Sequence, residues 1–335
     1  MKPDKQTEKR KTIVGIGSAL VDILTREDDA FLSEAGAVKG GMLYVDKEHI
    51  EQALARASGP PALVPGGSAC NTVVGVGRLG GRARFVGKRG NGRMGDFFEN
   101  SLRSNNVDPR LVRTTVSTGR VLSIITPDAQ RSMLTFLGAA AETRPEDIRA
   151  DLFADAAVVH IEGYLLFNPR LILAALTAAK SAGALVSLDL ASFNVVEESR
   201  SFLAEAVQEY VDILIANEDE ARAYTGESEA LPAIRALSKG VQIAVLKRGP
   251  QGSLISRDGR ILTVAADGDG RAIDTTGAGD LWASGFLFGL VEGYPLEKCG
   301  ALGSACGYEV CQVVGASIPE HGWQRIRKLL DKIDK

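Results

Sequence analysis

Short apolar runs alternate with longer amphipathic stretches through most of the second half of the chain. The apolar runs predict strands, and the stretches between them repeat apolar residues at helical spacing. The predicted strands span residues 156–161, 184–190, 211–216 and 241–247, and the predicted helices span 169–182, 197–210 and the segment after Asn217. This strand–helix series predicts an α/β fold with a mostly parallel central sheet flanked by helices.

The first half of the chain adds strands of two kinds. Two apolar runs fit the central sheet, at residues 12–17 and 84–87. Three others predict a small separate β-sheet, at residues 38–45, 118–126 and 131–137. A few strands that stand apart from a main domain are typical of a lid. The predicted division is a main α/β domain at 12–36, 47–112 and 139–335, a β lid at 37–46 and 113–138, and a polar N-terminal arm at 1–11.

A glycine-rich turn before the helix predicted at 276–291 is the main candidate for a functional site. It reads Asp274-Thr275-Thr276-Gly277-Ala278-Gly279-Asp280. Its glycines let backbone N–H groups approach an anion, and the first turn of a helix leaves such groups unpaired. A phosphate is the natural ligand of this arrangement. Asp280 either caps the helix or takes the proton from a hydroxyl that attacks the phosphorus.

Two earlier stretches offer polar groups to a ligand. Asp22 comes just after the first predicted strand, where ligands of open α/β sheets bind, although a solvated loop acid would have the same sequence. Gly66-Gly67 lets a ligand approach the backbone, and Asn71 falls on the first turn of the following helix with both donor and acceptor atoms.

Two further motifs each allow two interpretations. Asn217 and Glu220 open a helix after a strand, so they are either an ordinary N-cap pair or part of an acidic cluster that holds water-bound Mg²⁺. Residues 247–252 read Lys-Arg-Gly-Pro-Gln-Gly, which suits a nucleotide phosphate and fits a plain hairpin turn equally well.

Two glycine strings look like nucleotide motifs but lack the required context. Residues 75–80 match G-x-G-x-x-G, yet they lie late in a helical stretch with no strand-to-helix turn at the first glycine. Residues 81–88 resemble a P-loop, but the spacing is wrong and Arg89 stands where Ser or Thr is needed. We reject both strings, and with them a nicotinamide dehydrogenase.

Composition excludes several classes of protein. The 335 residues are 45% apolar and 24% charged with a net charge of −3, which lacks the basic excess of a nucleic-acid surface. The cysteines are Cys70, Cys299, Cys306 and Cys311, and the histidines are His49, His160 and His321. They show no CxxC pair or metal-ligand spacing. With no membrane-length apolar run and no signal-peptide pattern, we expect a cytoplasmic protein.

Together these motifs resemble the ribokinase-like (PfkB-type) family of carbohydrate and nucleoside kinases, over about residues 12–320. The stretch 274–280 is similar to the family's C-terminal signature, and Gly66-Gly67 with Asn71 to its N-terminal signature. Asn217 with Glu220 is similar to its N-x-x-E motif, and residues 315–319 to the segment that closes the nucleotide site. The resemblance implies an ATP- and Mg²⁺-dependent kinase that phosphorylates a primary hydroxyl.

The resemblance also implies roles for individual residues. Asp280 would be the base, Gly277, Ala278 and Gly279 would donate N–H groups to the phosphoryl group, and Arg131 would offset its charge. The acceptor would contact Ser18, Asp22, Gly66, Gly67, Asn71, Phe136, Glu162 and Tyr164. ATP would contact Asn217, Lys247, Gly249, Gly252, Thr275, Gly277, Gly279 and Ser304. Glu220 would hold Mg²⁺ through water, while Asp274, Thr276 and Ser317 would lie at a K⁺ loop that not every member uses.

The acceptor is less clearly indicated than the reaction. Residues 161–165, 187–191 and 212–217 are most similar to the adenosine kinase branch. That branch usually has Asn in place of Ser18, and a small and an aromatic residue in place of Glu162 and Leu165. A base needs a stacking partner, for which Tyr164, Phe136 and Phe193 are the candidates. Adenosine or a related nucleoside is the first choice. A ribose- or fructose-type sugar is the alternative acceptor, and a non-catalytic nucleoside- or nucleotide-binding protein is the alternative function. The protein is expected to be a monomer or a homodimer.

Overall fold

A computed structural model describes residues 10–128 and 130–333 of the chain. Most of the predicted N-terminal arm and one residue of the predicted lid turn, Ala129, therefore lie outside the described residues. No helix in the described ranges is both long and apolar enough to span a bilayer.

Within the described residues, fourteen strands and twelve α-helices form two sheets and their covering layers. The strands are β1 (Thr12–Ile16), β2 (Leu20–Arg26), β3 (Met42–Tyr44), β4 (Ala62–Gly66), β5 (Ala83–Gly90), β6 (Val107–Thr114), β7 (Thr118–Ile125), β8 (Arg131–Gly138), β9 (Ala156–Glu162), β10 (Leu185–Asp189), β11 (Ile213–Asn217), β12 (Ile243–Lys247), β13 (Ser253–Arg257) and β14 (Arg260–Val264). The helices are α1 (Asp29–Glu34), α2 (Lys47–Leu54), α3 (Ser68–Arg78), α4 (Arg93–Ser104), α5 (Pro169–Ser181), α6 (Phe193–Glu198), α7 (Arg200–Tyr210), α8 (Glu218–Thr225), α9 (Ala230–Leu237), α10 (Ala278–Glu292), α11 (Leu296–Cys311) and α12 (Glu320–Ile333).

The main sheet has nine strands in the order β14-β13-β12-β11-β10-β9-β1-β5-β6. All neighbours from β6 to β12 pair in parallel, and β13 and β14 add an antiparallel hairpin at one edge. The predicted α/β fold with a mostly parallel sheet is confirmed. Because the carboxyl ends of parallel strands meet at one edge, the loops after β1, β9, β10, β11 and β12 lie along a common rim.

Successive residues of the main-sheet strands point to opposite faces, and both faces are buried. On β1, Ile13 packs with α3, α4, α10, α11 and α12 on one side, whereas Val14 packs with α5 to α9 on the other. Two continuous apolar cores therefore sandwich the sheet, as expected for parallel strands covered on both sides. This double core explains why those strands are apolar runs rather than alternating patterns.

The second sheet contains five strands in the order β3-β8-β7-β2-β4. It includes the three predicted lid strands and also β2 and β4, which the sequence analysis had placed in the main domain. α1 and α2 cover one face of this sheet with a small core of their own around Ile23, Phe31, Ile50 and Leu134. The domain boundaries stay a prediction, but the strand pairing joins β2 and β4 to the lid strands. We call this second sheet the lid sheet.

Several elements differ from the sequence prediction. Asp22 lies inside β2 rather than in a loop, and β6 was not predicted. The single helix expected over residues 197–210 is two helices, α6 and α7, and the turn after Lys247 leads into the β13–β14 hairpin. The rejected string at residues 75–80 begins within α3 and runs past its end, so it forms no strand-to-helix turn.

Candidate active site

The glycine-rich turn opens α10 as predicted. Gly277 is the N-cap with a left-handed φ of 72°, and a Cβ there would lie 2.6 Å from the Cβ of Ala316. The N–H of Ala278 donates to the carbonyl of Thr275 at 3.1 Å, whereas no hydrogen bond between described residues uses the N–H groups of Gly277, Gly279 or Asp280. The expected anion cradle is therefore present, but Asp280 replaces Ala278 as one of its free donors.

The carboxylate of Asp280 is held from α3. Its Oδ1 accepts a hydrogen bond from Ser68 Oγ at 2.7 Å, and its Oδ2 accepts one from Asn71 Nδ2 at 2.9 Å. Thr72 Oγ1 also donates to the Asp280 backbone carbonyl at 3.1 Å. Burial raises the pKa of Asp280, and the hydrogen bonds from Asn71 and Ser68 oppose that rise. A buried, oriented carboxylate with a raised pKa is a suitable general base.

Two cavities have linings that include residues next to Asp280. We call the first the lid cavity. It has a volume of about 350 Å³ and is lined by lid-sheet residues together with Gly67 and Ser68. We call the second the turn cavity. It has a volume of about 400 Å³ and is lined by Thr275, Ala278 and Gly279 on the α10 side. Asp280 directly follows Gly279 of the turn cavity in sequence, and it accepts a hydrogen bond from Ser68 of the lid cavity.

The turn cavity contains nearly all of the residues predicted to bind ATP. Asn217, Lys247, Gly249, Gly252, Thr275, Gly279 and Ser304 line it, and Gly277 does not. Its apolar wall includes Trp282 and Tyr308, which the sequence analysis did not identify. A cavity with an apolar wall beside a cradle of free N–H groups fits a nucleotide base and its phosphates.

Lys247 links the turn cavity to the main sheet. Its Nζ donates to Asp189 Oδ2 at 2.8 Å, and a Cβ on Gly279 would lie 2.9 Å from that Nζ. Burial lowers the pKa of Lys247, but the charges of Asp189 and Glu220 outweigh burial and raise it. Lys247 therefore keeps its positive charge beside the N–H cradle, where it can attract an anion.

Asn217 and Glu220 form a complete capping box at the start of α8. The Asn217 N–H donates to Glu220 Oε2 at 2.8 Å, Asn217 Nδ2 donates to Glu220 Oε1 at 2.7 Å, and the Glu220 N–H donates to Asn217 Oδ1 at 2.9 Å. Burial raises the pKa of Glu220 to about 7, and Lys247 opposes the rise. Within the described residues no cluster of three or more His, Cys, Asp or Glu could hold a metal ion directly.

The lid cavity contains Ser18, Gly67, Glu162 and Tyr164 from the predicted acceptor site. Burial raises the pKa of Glu162 to about 7, while N–H groups of Ala69 and Ser18 oppose the rise. Tyr164 is 38% exposed, and burial of its hydroxyl and the nearby Asp280 raise its pKa above the usual value. No sequence pattern revealed the lid-sheet side of the cavity, which consists of Leu20, Met42, Tyr44, Val121, Met133, Thr135 and Leu137.

Two of the three candidate stacking residues lie elsewhere. Phe136 packs against the small core under α1 and α2, because Met133, Thr135 and Leu137 point to the opposite face of β8 and line the cavity. Phe193 begins α6, is 46% exposed and does not line the cavity. Of the three candidates, Tyr164 alone lines the lid cavity, and its stacking on a base stays a prediction.

Asp22 on β2 and Gly66 on β4 lie close together on adjacent antiparallel strands. The register partner of Asp22 is Val64, and that of Gly66 is Leu20. A Cβ on Gly66 would lie 2.4 Å from Asp22 Oδ1, so only glycine leaves room for this carboxylate. Asp22 is 8% exposed, and its carboxylate makes no hydrogen bond to any described residue. Burial raises its pKa to about 6, with Arg131 lowering it and Asp280 raising it. A largely buried carboxylate without a protein donor can accept hydrogen bonds from water or from a ligand with donor groups.

Asp274 holds the turn that precedes the cradle. Its Oδ1 accepts from Thr276 N at 2.9 Å and from Thr276 Oγ1 at 2.6 Å, and its Oδ2 accepts from Gly315 N at 2.8 Å. Burial acts to raise its pKa, but these hydrogen bonds outweigh burial and lower it. Ser317 is exposed and makes no hydrogen bond to Asp274 or Thr276. The structure therefore brings Asp274 and Thr276 together without Ser317.

Comparison with known proteins identifies the family. The family model described as pfkB family carbohydrate kinase matches residues 42–322. A probable sugar kinase protein from Rhizobium etli CFN 42 is 33% identical with a TM-score of 0.87, covering 96% of this chain and 99% of that one. Adenosine kinase from Sinorhizobium meliloti is 34% identical with a TM-score of 0.85, covering 95% of this chain and 99% of that one.

Curated relatives point to the same family with other acceptors. The 5-dehydro-2-deoxygluconokinase of Geobacillus thermodenitrificans is 27% identical over 81% of this chain and 83% of its own length. These relatives are kinases whose acceptors differ. They therefore indicate the class of reaction but not the substrate. With its α/β fold, glycine cradle and buried carboxylate, the chain belongs to the PfkB family of carbohydrate kinases, ribokinase-like enzymes that phosphorylate hydroxyl groups of sugars and nucleosides.

Proposed function

We propose that this kinase transfers the γ-phosphoryl group of ATP to a primary hydroxyl of a nucleoside, with adenosine as the preferred acceptor and Asp280 as the general base. The observation that carries the proposal is that Asp280 bonds Ser68, which lines the lid cavity, and directly follows Gly279, which lines the turn cavity. ATP would occupy the turn cavity and the acceptor the lid cavity. The acceptor hydroxyl would then face the phosphoryl group with the base beside it.

The cradle would stabilise the charge that develops on the phosphoryl group. The free N–H groups of Gly277, Gly279 and Asp280 are fixed donors, so they need no reorganisation when the charge shifts. Lys247 supplies a nearby positive charge, and Arg131 acts on both Asp22 and Asp274 electrostatically from the lid sheet. Mg²⁺ would neutralise the ATP phosphates when bound, with Glu220 holding it through water.

The walls of the lid cavity favour a nucleoside over a free sugar. Met42, Met133, Leu137 and Phe167 make much of the lining apolar, and Tyr44 and Tyr164 add aromatic rings. A planar base would bury apolar surface and stack there, whereas a sugar would leave that surface uncovered. Asp22, whose carboxylate makes no hydrogen bond to a described residue, would bind the ribose from β2, the strand whose Leu20 lines this cavity. The adenosine kinase at 34% identity supports the same choice.

A sugar acceptor is the second candidate, favoured by the 33% identical probable sugar kinase protein and by the relatives that phosphorylate sugars. ADP formation measured with adenosine, other nucleosides, ribose and fructose as acceptors separates the two. We expect the highest kcat/KM with adenosine. A kcat/KM at least as high with ribose or fructose would overturn the nucleoside assignment and leave the kinase assignment intact.

Tyr164→Ala tests independently whether the base of a nucleoside stacks on Tyr164. We expect the KM for a nucleoside to rise by about tenfold, because stacking on an aromatic ring is worth on the order of 1 kcal/mol or more. Phe136→Ala is the matched control, because Phe136 packs on the other face of β8. It should lower thermal stability and leave the KM nearly unchanged. Equal effects of the two substitutions on KM would contradict stacking on Tyr164.

The remaining expectations concern the setting of the enzyme. All four cysteines are free and three of them are buried, which fits a reducing compartment such as the cytoplasm. We propose a cytoplasmic enzyme, either monomer or homodimer. Use of K⁺ at Asp274 and Thr276 is also a proposal, and the activity in K⁺ compared with that in a large organic cation would test it.

A further inference from the structure

Glu162 is a buried carboxylate that the proposed reaction does not use. It ends β9, is 1% exposed and lies between β1 and β10, where its register partner is Asp189. Its two oxygens bond separate segments of the chain. Oε1 accepts from the Ser18 N–H at 2.8 Å, and Oε2 accepts from the Ala69 N–H at 3.1 Å. Glu162 therefore joins the loop after β1 to the start of α3.

The bond to Ala69 caps a helix that has no cap of its own. Gly67 is the N-cap of α3 with φ 98°, and it provides no side-chain hydrogen bond. A Cβ there would lie 2.3 Å from the Ser18 carbonyl oxygen, so a residue with a capping side chain does not fit. The N–H groups of a first helical turn need acceptors, and negative charge near them is favourable. Glu162 supplies both from another strand.

The chain also makes room for this carboxylate at close range. A Cβ on Gly17 would lie 2.2 Å from Glu162 Oε2, so any larger residue at position 17 would displace it. The burial, the two hydrogen bonds and the tight fit to Gly17 make Glu162 a fixed part of the frame. Each of its oxygens already accepts one backbone N–H, so the frame of the protein orients this carboxylate without a ligand.

The helix that Glu162 caps is the one that holds the base. Ser68 and Asn71 lie on either side of Ala69 in the first turns of α3, and they donate to the two oxygens of Asp280. We propose that Glu162 is a positioning residue, which fixes the start of α3 so that Ser68 and Asn71 orient the Asp280 carboxylate. This inference rests on the proposed role of Asp280 as the base.

Glu162→Gln tests the inference with little change of shape. The amide oxygen can still accept one N–H, but the amide nitrogen would face the other N–H as a second donor. We expect kcat to fall by about tenfold, the scale of one hydrogen bond to a charged group, with a smaller change in the KM for the acceptor. A rise in acceptor KM at unchanged kcat would overturn the inference, because it would indicate direct binding of the acceptor.

A double-mutant cycle with Ser68→Ala tests whether the effect passes through α3. If Glu162 acts by placing Ser68, then Ser68→Ala should reduce kcat less in the Glu162→Gln background than in the wild type. Additive effects on kcat would refute this route. Asp212→Asn is the matched control, because Asp212 is also a buried carboxylate and accepts the Val186 N–H at 2.8 Å. Asp212 lies just before β11, at the opposite rim of the main sheet from Glu162. It should lower stability without lowering kcat.

Hydrogen exchange gives a readout that does not require turnover. In Glu162→Gln the amides of residues 67–72 should exchange faster than in the wild type, while those of α10 beyond its first turn should not. Unchanged exchange at 67–72 would overturn the capping role even if the enzyme were inactive. Failure of the wild type to form ADP with any acceptor would instead refute the proposed function and leave this measurement valid.

Discussion

Replacing Asp280 by Asn separates the chemistry of this residue from its structural role. The wild-type carboxylate accepts hydrogen bonds from Ser68 and Asn71 at 2.7 and 2.9 Å. An asparagine has the same shape, so its oxygen can accept from Asn71. Its NH₂ group can donate to Ser68 Oγ, because a hydroxyl both donates and accepts. The substitution therefore keeps the local contacts and removes only the charge and the basicity.

We expect the substitution to lower kcat strongly and to leave the stability unchanged or slightly higher. Loss of a general base lowers kcat by about 10²- to 10⁴-fold, which corresponds to roughly 3–5 kcal/mol in the activation barrier. Burial raises the pKa of Asp280 above its unfolded value. Its ionised form therefore costs stability once the pH is above the folded-state pKa. Removing the charge should leave the melting temperature at pH 7 unchanged or slightly higher.

The assay couples ADP release to a spectroscopic signal, and ATP binding and thermal unfolding are measured on the same samples. We expect kcat to collapse while the Kd for ATP and the melting temperature stay close to wild type. Glu297→Gln is the control, because Glu297 is an exposed acid in the first turn of α11. A kcat for Asp280→Asn within about tenfold of wild type would refute the general-base assignment, since even a modest base contributes more.

Three further substitutions test the cavities and their charges. Gly279→Ala places a Cβ 2.9 Å from Lys247 Nζ, so the KM for ATP should rise severalfold with the acceptor KM unchanged; equal changes in both would contradict a role confined to the turn cavity. Asp274→Asn should cost about 1–3 kcal/mol of stability at pH 7, and the difference in melting temperature should shrink as the pH falls, because the folded-state pKa of Asp274 is lowered. Asp22→Asn should do the reverse. The wild-type pKa is raised to about 6, so wild-type stability from this group is lost as the pH rises through 6, and the variant should melt higher at pH 7; a lower melting temperature there would contradict a destabilising buried charge.

The parts of the site that the sequence predicted correctly are local in the chain. The cradle depends on glycines and on the start of one helix, and both leave a signature within a few residues. The alternation of strands and helices predicted the main sheet for the same reason. Asn217 and Glu220 show the limit of such signals, because the same spacing fits a capping box and an acidic cluster that holds water-bound Mg²⁺, and the structure forms the capping box.

The parts that the sequence could not provide depend on long-range pairing. Ser68 meets Asp280 across 212 residues, and Glu162 meets Ala69 across 93, so no local pattern reveals either contact. Phe136 was misplaced because β8 has apolar residues on both faces, and sequence alone does not say which face meets the cavity. The only clue was the alternation itself, which puts residues 133, 135 and 137 on one side.

The membership of β2 and β4 in the lid sheet has a consequence for how binding can be observed. β2 carries Asp22, and β4 runs directly into Gly67 at the start of α3, so the sheet cannot shift without carrying along part of the acceptor's own wall. An environment-sensitive dye on the outer side of β4, for example at Leu63, should therefore report the arrival of a nucleoside before any nucleotide is added. Replacing the lid sheet by that of another protein would therefore also replace contacts to the acceptor.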